Sequence, residues 1–183
     1  AGYVLEKHAF EKWLSGEAQN AGAEISMSTR VTSLVRENDI WVIQTTQGAC
    51  KGRIVLDGSG AAGVANRMLN MNERFKVTTG IQYELLDIPQ EGYLDFYLWP
   101  RLAPEGYLWM IPKNDGRANV GLVTHDIPKA KIFLDQFVKE MGWETKTKVK
   151  TFGGPIPSSG PVKNTYNDGI LLIGDAAGFT SPL

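Results

Sequence analysis

The sequence predicts a mixed α/β fold in which an α/β layer is interrupted by an inserted antiparallel sheet, so that the chain itself is of the α+β kind. Two observations lead to this prediction. Short apolar runs end in an acidic-glycine turn at Asp57-Gly58 and again at Gly174-Asp175, and small residues follow each turn. This pattern is typical of a buried strand that leads into a helix. Between the two turns, β-prone segments alternate with turn residues, as in an antiparallel sheet.

Five elements are predicted before the insertion. The first is an amphipathic helix, because Phe10, Trp13 and Leu14 recur at helical spacing. In order, the elements are a helix over Glu6–Ala21, strands within Glu24–Val35 and Asn38–Thr46 that form a small meander, a strand over Arg53–Leu56, and a helix over Val64–Leu69.

The inserted part is predicted to contain four strands and a following helix. Asn114-Asp115-Gly116 is a hairpin turn between the last two strands, and Asp126 is a candidate cap for the helix. The Gly/Pro-rich stretch Gly153–Pro161 is expected to be a connection that returns to the final strand. The strands lie within Gly80–Leu86, Tyr93–Trp99, Gly106–Ile111 and Ala118–Thr124, and the helix within Pro128–Gly142.

Composition excludes several classes of function. Nineteen basic and twenty acidic residues give a net charge of −1, so nucleic acid is not an expected partner. Cys50 is the single cysteine, so there is no internal disulfide, and with two histidines the chain offers no zinc set. A reducing, cytoplasmic compartment is expected. No apolar run is long enough to span a bilayer, and the N-terminus lacks a signal-peptide pattern.

Two longer motifs resemble those of a known family. "GYLWMIPKNDGRANVGL" and the terminal "GDAAGFTSPL", with the two acidic-glycine turns, resemble the geranylgeranyl reductase family of FAD-dependent oxidoreductases, which are flavoproteins shaped like p-hydroxybenzoate hydroxylase. The resemblance implies that residues 1–76 and 151–183 form part of a Rossmann-like FAD-binding lobe and that residues 77–150 form a substrate lobe. The FAD-binding lobe is expected to be incomplete, and the chain is expected to be internal to a longer protein. Both expectations follow because the sequence lacks a G-x-G-x-x-G turn and a starting methionine.

The same resemblance implies a set of cofactor-binding residues. The Asp175 carboxylate would accept a hydrogen bond from a ribityl hydroxyl, Pro182 would lie beside the flavin ring, and Lys7 would replace an arginine that points towards the pyrophosphate. The alternatives are an ordinary turn with a capping Asp175, a surface turn at Asp57 and a solvated Lys7. The complete set is Gly174, Asp175, Ala176, Ala177, Gly178, Pro182, Lys7, Asp57 and Gly58, with Arg67 as an anchor of the helix after Asp57.

The resemblance also implies a set of substrate-binding residues. Tyr107-Leu108-Trp109-Met110-Ile111-Pro112 resembles the family's Tyr-x-Trp-x-Phe-Pro, and strand alternation places Tyr107, Trp109 and Ile111 on one face. These residues either line an apolar pocket or belong to the sheet's core. The substrate set is Tyr107, Trp109, Ile111, Pro112, Phe96 and Trp99.

The function implied is saturation of isolated C=C bonds in a geranylgeranyl (polyprenyl) lipid by hydride from reduced FAD. The sequence identifies neither a catalytic residue nor the electron donor, and a lipid substrate implies peripheral membrane contact. The isolated segment is expected to hold FAD poorly and to be inactive. The alternatives are a flavin-dependent monooxygenase or halogenase, whose Trp-x-Trp-x-Ile-Pro motif is also close, an electron-transfer flavoprotein dehydrogenase, and a non-catalytic β-rich domain.

Overall fold

A computed structural model describes residues Tyr3–Thr180. The chain forms three α-helices and eleven strands over this range, together with short 3₁₀ turns at Gly60–Ala62, Ile127–Lys129 and Gly174–Ala177. In chain order the elements are α1 (Lys7–Asn20), β1 (Val31–Glu37), β2 (Ile40–Thr45), β3 (Gly48–Gly52), β4 (Val55–Asp57), α2 (Val64–Leu69), β5 (Val77–Leu85), β6 (Asp95–Tyr97), β7 (Tyr107–Pro112), β8 (Ala118–Thr124), α3 (Ala130–Glu140), β9 (Lys148–Pro157), β10 (Tyr166–Asn167) and β11 (Ile170–Leu172).

The chain divides into two compact units, and the mixed α/β class with antiparallel sheets is confirmed. The sheet unit comprises the N-terminal segment up to Glu24 together with Thr78–Pro155, and the rim unit comprises Ile25–Val77 together with the segment from Ile156 onwards. Helix α1 therefore groups with the inserted sheet. None of the described helices is long and apolar enough to cross a membrane. The described residues also contain no cluster of metal-ligating side chains.

The sheet unit is built on five strands in the order β6-β7-β8-β5-β9, with α3 packed on one face. The pairs β6–β7, β7–β8 and β8–β5 are antiparallel, as the sequence predicts. Leu108 on β7, Leu122 on β8 and Leu134 and Phe137 on α3 are fully buried together. Burial at positions 130, 134, 137 and 138 of α3 follows the helical repeat, which explains why this face lies on the sheet.

Strand β9 differs from the prediction, which treats Gly153–Pro161 as a connection. The strand continues through Gly154 and Pro155, and it lies at the edge of the sheet beside β5. An edge strand accepts proline because one row of its backbone groups faces away from the sheet. Asp126 also differs from the prediction, because its side chain makes no capping hydrogen bond and instead binds Lys129 Nζ at 3.0 Å.

The rim unit contains two small sheets. Strands β1, β2 and β3 form the predicted antiparallel meander. The second sheet has the order β10-β11-β4, and its β11–β4 pair is parallel. Ile170 and Leu172 of β11 are buried with Trp41 of the meander and Ala65 of α2, so one apolar core joins both sheets to α2.

Tyr83 connects β5 to α3 in the sheet unit. Its hydroxyl donates to Asp135 Oδ1 at 2.5 Å, and burial together with the adjacent Asp135 carboxylate raises the pKa of Tyr83 above its ordinary 10.0. Burial raises the pKa of Asp135, but hydrogen bonds from Lys131 and Tyr83 outweigh this effect and lower it overall. The contact is therefore a hydrogen bond from a neutral phenol to an ionised carboxylate.

Tyr83→Phe is expected to lower the free energy of unfolding by about 1–2 kcal/mol, because a hydrogen bond to a charged group is lost. The raised pKa also has a pH signature. The stability that it contributes is complete below the unfolded value of 10.0 and is lost as the pH rises beyond it. Urea unfolding at pH 8 and pH 11 should show a larger alkaline loss in the wild type than in Tyr83→Phe. Tyr166→Phe, at an exposed tyrosine, is the control; equal alkaline losses in the wild type and Tyr83→Phe would contradict the assignment.

Candidate functional site

The two acidic-glycine turns meet at one edge of the rim unit. Strands β4 and β11 run parallel, with Leu172 opposite Asp57, so both strands end at the same level. The Ile173 N–H then donates to the Asp57 carbonyl oxygen at 3.0 Å. The prediction that both turns lie on the same rim of the sheet is confirmed. The carboxyl ends of parallel strands are where α/β sheets bind ligands.

Asp57 uses its whole carboxylate to build its own turn. The side chain is buried, with Oδ1 accepting from the Ser59 N–H at 2.9 Å and Oδ2 accepting from the Ala65 N–H at 2.7 Å. Ser59 Oγ in turn accepts from the Val64 N–H at 2.8 Å. Since Val64 and Ala65 begin α2, the two side chains together cap this short helix. Asp57 therefore has a structural role at the rim.

The surroundings of the Asp57 turn are open on one side. A cavity of about 840 Å³ lies beside it and is lined by Asp57, Gly58 and Ser59, with apolar residues of β1 and β2. Gly58 is not crowded, since a Cβ there would meet the Ile173 side chain at an ordinary 3.5 Å. Arg67 is exposed in the last turn of α2 and lines a second, smaller recess of about 480 Å³.

The Asp175 turn has the opposite character. Gly174 adopts a left-handed φ of +54°, and no described atom lies within 4 Å of a Cβ built on it, so its backbone is open to approach. Asp175 is partly exposed, and its Oδ1 accepts a hydrogen bond from the Thr180 hydroxyl at 3.0 Å. Its side chain makes no capping bond to the 3₁₀ turn. Within Tyr3–Thr180 its second carboxylate oxygen has no protein donor, so Asp175 can accept a hydrogen bond from a ligand.

The small residues after Asp175 hold the turn in place by packing. Ala176 and Ala177 are fully buried, and the Ala177 carbonyl accepts from the Val162 N–H at 3.0 Å. Gly178 has a φ of +71°, and a Cβ there would lie 2.3 Å from the Gly160 carbonyl oxygen. These three residues therefore fix the turn from beneath, and a ligand would meet Gly174 and Asp175. Pro182 lies outside the described residues.

Lys7 is the first residue of α1, in the sheet unit. Its exposed side chain pairs with Glu11 one turn later, at 3.5 Å. Such an exposed pair contributes little to stability. The assignment of Lys7 to a phosphate group stays a prediction.

The face of the sheet opposite α3 carries most of the predicted substrate residues. Tyr107, Trp109 and Ile111 are half-buried on one face of β7, whereas Leu108 and Met110 on the other face enter the core with α3. The core is therefore made by the alternate residues. Phe96 lies opposite Trp109 in register and packs edge-on against Tyr107, with 5.4 Å between ring centroids. We call the surface formed by Phe96, Tyr107, Trp109 and Ile111 the aromatic face.

Trp99 does not belong to the aromatic face. Its ring packs against Phe137 of α3 at 5.4 Å between centroids and against Tyr97 at 5.6 Å, on the core side of the sheet. The Arg101 guanidinium covers it. Pro112 is the last residue of β7, at the end of the face. The structure thus brings Phe96 to the predicted face and separates Trp99 from it.

Two residues of the same face were missed from the sequence. The Trp109 Nε1–H donates to Gln82 Oε1 on β5 at 3.1 Å, and the intervening Gly121 of β8 leaves space for the indole. Gly121 is a detectable signal, because glycine inside a strand often marks a close approach. Gln82 has no such signal, since a polar residue in a strand is usually solvent-facing.

Residues 76–155 match the family profile of the geranylgeranyl reductase catalytic domain. The whole chain aligns at 32% identity with digeranylgeranylglycerophospholipid reductase of Methanocaldococcus jannaschii and at 35% with digeranylgeranylglycerophospholipid reductase 2 of Methanosphaera stadtmanae, covering 50% of each relative.

The chain is similar to the geranylgeranyl reductase family in this domain and in these relatives. It spans about half the length of these curated relatives. Among solved structures, a geranylgeranyl bacteriochlorophyll reductase-like protein of Thermoplasma acidophilum superposes on 98% of this chain with a TM-score of 0.85 and 27% identity, over 50% of its own length.

More distant structures share the fold alone. A flavoprotein/dehydrogenase of Cytophaga hutchinsonii matches with a TM-score of 0.72 and 19% identity, covering 100% of this chain and 50% of its own. A flavin-dependent halogenase matches with a TM-score of 0.72 and 22% identity, covering 98% of this chain and 36% of its own. The halogenase alternative therefore gains only a common fold from this comparison.

The two acids of the rim should respond differently to loss of charge. Asp57→Asn replaces one acceptor with an amide donor that faces a backbone N–H, so it is expected to lower the free energy of unfolding by about 1–3 kcal/mol. Asp175→Asn is the matched control and should change it by less than about 0.5 kcal/mol. Unfolding midpoints in urea measure both. Equal losses would show that Asp57 does not have the structural role described.

Proposed function

We propose that this chain is the part of a flavin-dependent reductase that saturates isolated C=C bonds in the geranylgeranyl chains of glycerophospholipids. The observation that carries the proposal is the match to the catalytic domain, which spans the strands of the aromatic face. The reductases that the whole chain resembles are named for a digeranylgeranyl glycerophospholipid. An aromatic, half-buried sheet face suits a substrate of that chemistry.

The rim unit suits FAD as the cofactor. Gly174 offers open backbone, and one Asp175 carboxylate oxygen has no donor among the described residues, which fits a hydroxyl-bearing ribityl chain. In this assignment the rim unit is part of a Rossmann-like cofactor lobe, and Asp57 and Gly58 shape the edge beside the Asp175 turn. FAD when bound supplies the hydride.

In this proposal, the residues of the aromatic face bind the lipid substrate and orient its alkene. An isolated alkene has no polar group to hold, so its position depends on the shape of an apolar surface and on exclusion of water. Phe96, Tyr107 and Trp109 supply such a surface, and their edge-on and tilted contacts fix the rings relative to one another. A lipid substrate further suggests that the protein contacts the membrane at its surface.

The two sites are expected to fail separately. In the complete enzyme, Trp109→Ala should reduce turnover of a geranylgeranyl glycerophospholipid at least about tenfold while FAD content stays at the wild-type level, because only the alkene is misplaced. Asp175→Ala should lose FAD first. Mass spectrometry of the lipid product and flavin absorbance per protein measure the two effects.

Removing an indole can cost roughly 3–5 kcal/mol of packing, so thermal unfolding must first show that Trp109→Ala is folded. A folded Trp109→Ala enzyme with normal lipid turnover would contradict the placement of the aromatic face at the substrate. Wild-type enzyme that binds FAD but leaves the lipid unreduced with a chemical reductant would contradict the proposed reaction.

A further inference from the structure

Four residues form one row across the aromatic face. Trp109 of β7 pairs in register with Phe96 of β6 on one side and with Gly121 of β8 on the other, and Gly121 pairs with Gln82 of β5. Directly opposite residues in a sheet point to the same side. Phe96, Trp109 and Gln82 therefore share a face, with the glycine between the last two.

Gly121 leaves room for the Trp109 indole. A Cβ at this position would lie 2.6 Å from two ring atoms of Trp109 and 2.5 Å from the Gln82 Cβ, so no larger residue fits without displacing them. The indole extends over the glycine and donates from Nε1 to Gln82 Oε1 at 3.1 Å. The orientation of the Trp109 ring is thus fixed by its hydrogen bond to Gln82 and by the lack of a side chain at Gly121.

We propose that Gln82 is a positioning residue, which acts through the Trp109 indole to determine which part of the isoprenoid chain is presented for reduction. The inference rests on the proposed function and extends it to substrate selection. The position of an alkene that is bound only by apolar contacts depends on the shape of the surface that it contacts. If the Trp109 ring rotates freely about its side-chain torsions, the shape of that surface is less well defined. The hydrogen bond to Gln82 removes that freedom, and Gly121 allows the ring to lie low on the sheet.

The test uses the complete enzyme with four single variants and one double variant. Gln82→Leu removes the acceptor at nearly constant size, Gln82→Glu keeps an acceptor oxygen, and Trp109→Phe removes the donor but keeps a ring. Gln136→Leu is the matched control, because the amide of Gln136 donates to Glu140 on the exposed side of α3, away from Trp109. Thermal unfolding and flavin content are checked for each variant, and Gln82→Met replaces Gln82→Leu if the latter does not fold.

Gln82→Leu and Trp109→Phe should each lower kcat/KM for the lipid by about threefold to tenfold, the effect of one net hydrogen bond. The Gln82→Leu/Trp109→Phe double variant should be no worse than the poorer single variant, because both remove the same bond. Gln82→Glu should retain most activity, and the distribution of partly reduced products should shift in Gln82→Leu. Effects that multiply in the double variant, or unchanged kinetics and products in Gln82→Leu, would overturn the proposal.

A spectroscopic measurement separates this proposal from the proposed function. Ultraviolet resonance Raman reports hydrogen bonding of the indole N–H, and Gln82→Leu should lose one bonded indole relative to wild type while Gln136→Leu does not. If the wild-type enzyme does not reduce the lipid, the proposed function fails, and this spectrum still decides whether Gln82 holds Trp109. An unchanged indole spectrum in Gln82→Leu would overturn the positioning role whatever the substrate.

Discussion

The parallel pairing of β4 with β11 is the constraint on which the rim depends. It joins two segments that lie more than a hundred residues apart in sequence, and it places Leu172 opposite Asp57. The hydrogen bond from the Ile173 N–H to the Asp57 carbonyl continues the ladder by one step past the strands. Because both strands end there, the two acidic-glycine turns are brought to one edge of the sheet.

The chain assigns different tasks to two similar acidic-glycine turns. Both carboxylate oxygens of Asp57 accept hydrogen bonds from backbone N–H groups, and this stabilises the start of α2. Asp175 makes one described contact, to Thr180, on a turn whose rigidity comes from buried Ala176 and Ala177. Among the described residues, this packing leaves Gly174 and Asp175 accessible, as a preorganised ligand site requires.

Strand alternation gives the two faces of β7 different surroundings. One face of β7 supplies Leu108 and Met110 to the core under α3, and the other supplies the aromatic face. Sequence alternation predicts this division, and turn and strand signals predict the hairpin at Asn114-Asp115-Gly116 and the meander, because each depends on local pattern. The common rim is predicted from the strand-turn-helix pattern that the two acidic-glycine turns share. Local pattern does not predict β9, whose prolines are tolerated only because the strand is at an edge, nor the side taken by Trp99, which follows from its contact with Phe137 on a distant helix.

We infer that the rim formed by β4 and β11 holds a flavin cofactor through the Asp175 turn and not through Asp57. An experimental structure of the complete protein with FAD bound tests this most directly. In that structure, an Asp175 carboxylate oxygen should lie within about 3 Å of a ribityl hydroxyl, as a hydrogen bond requires, and both Asp57 oxygens should still accept from the Ser59 and Ala65 N–H groups. FAD bound away from this rim, or held by Asp57 with Asp175 uninvolved, would contradict it.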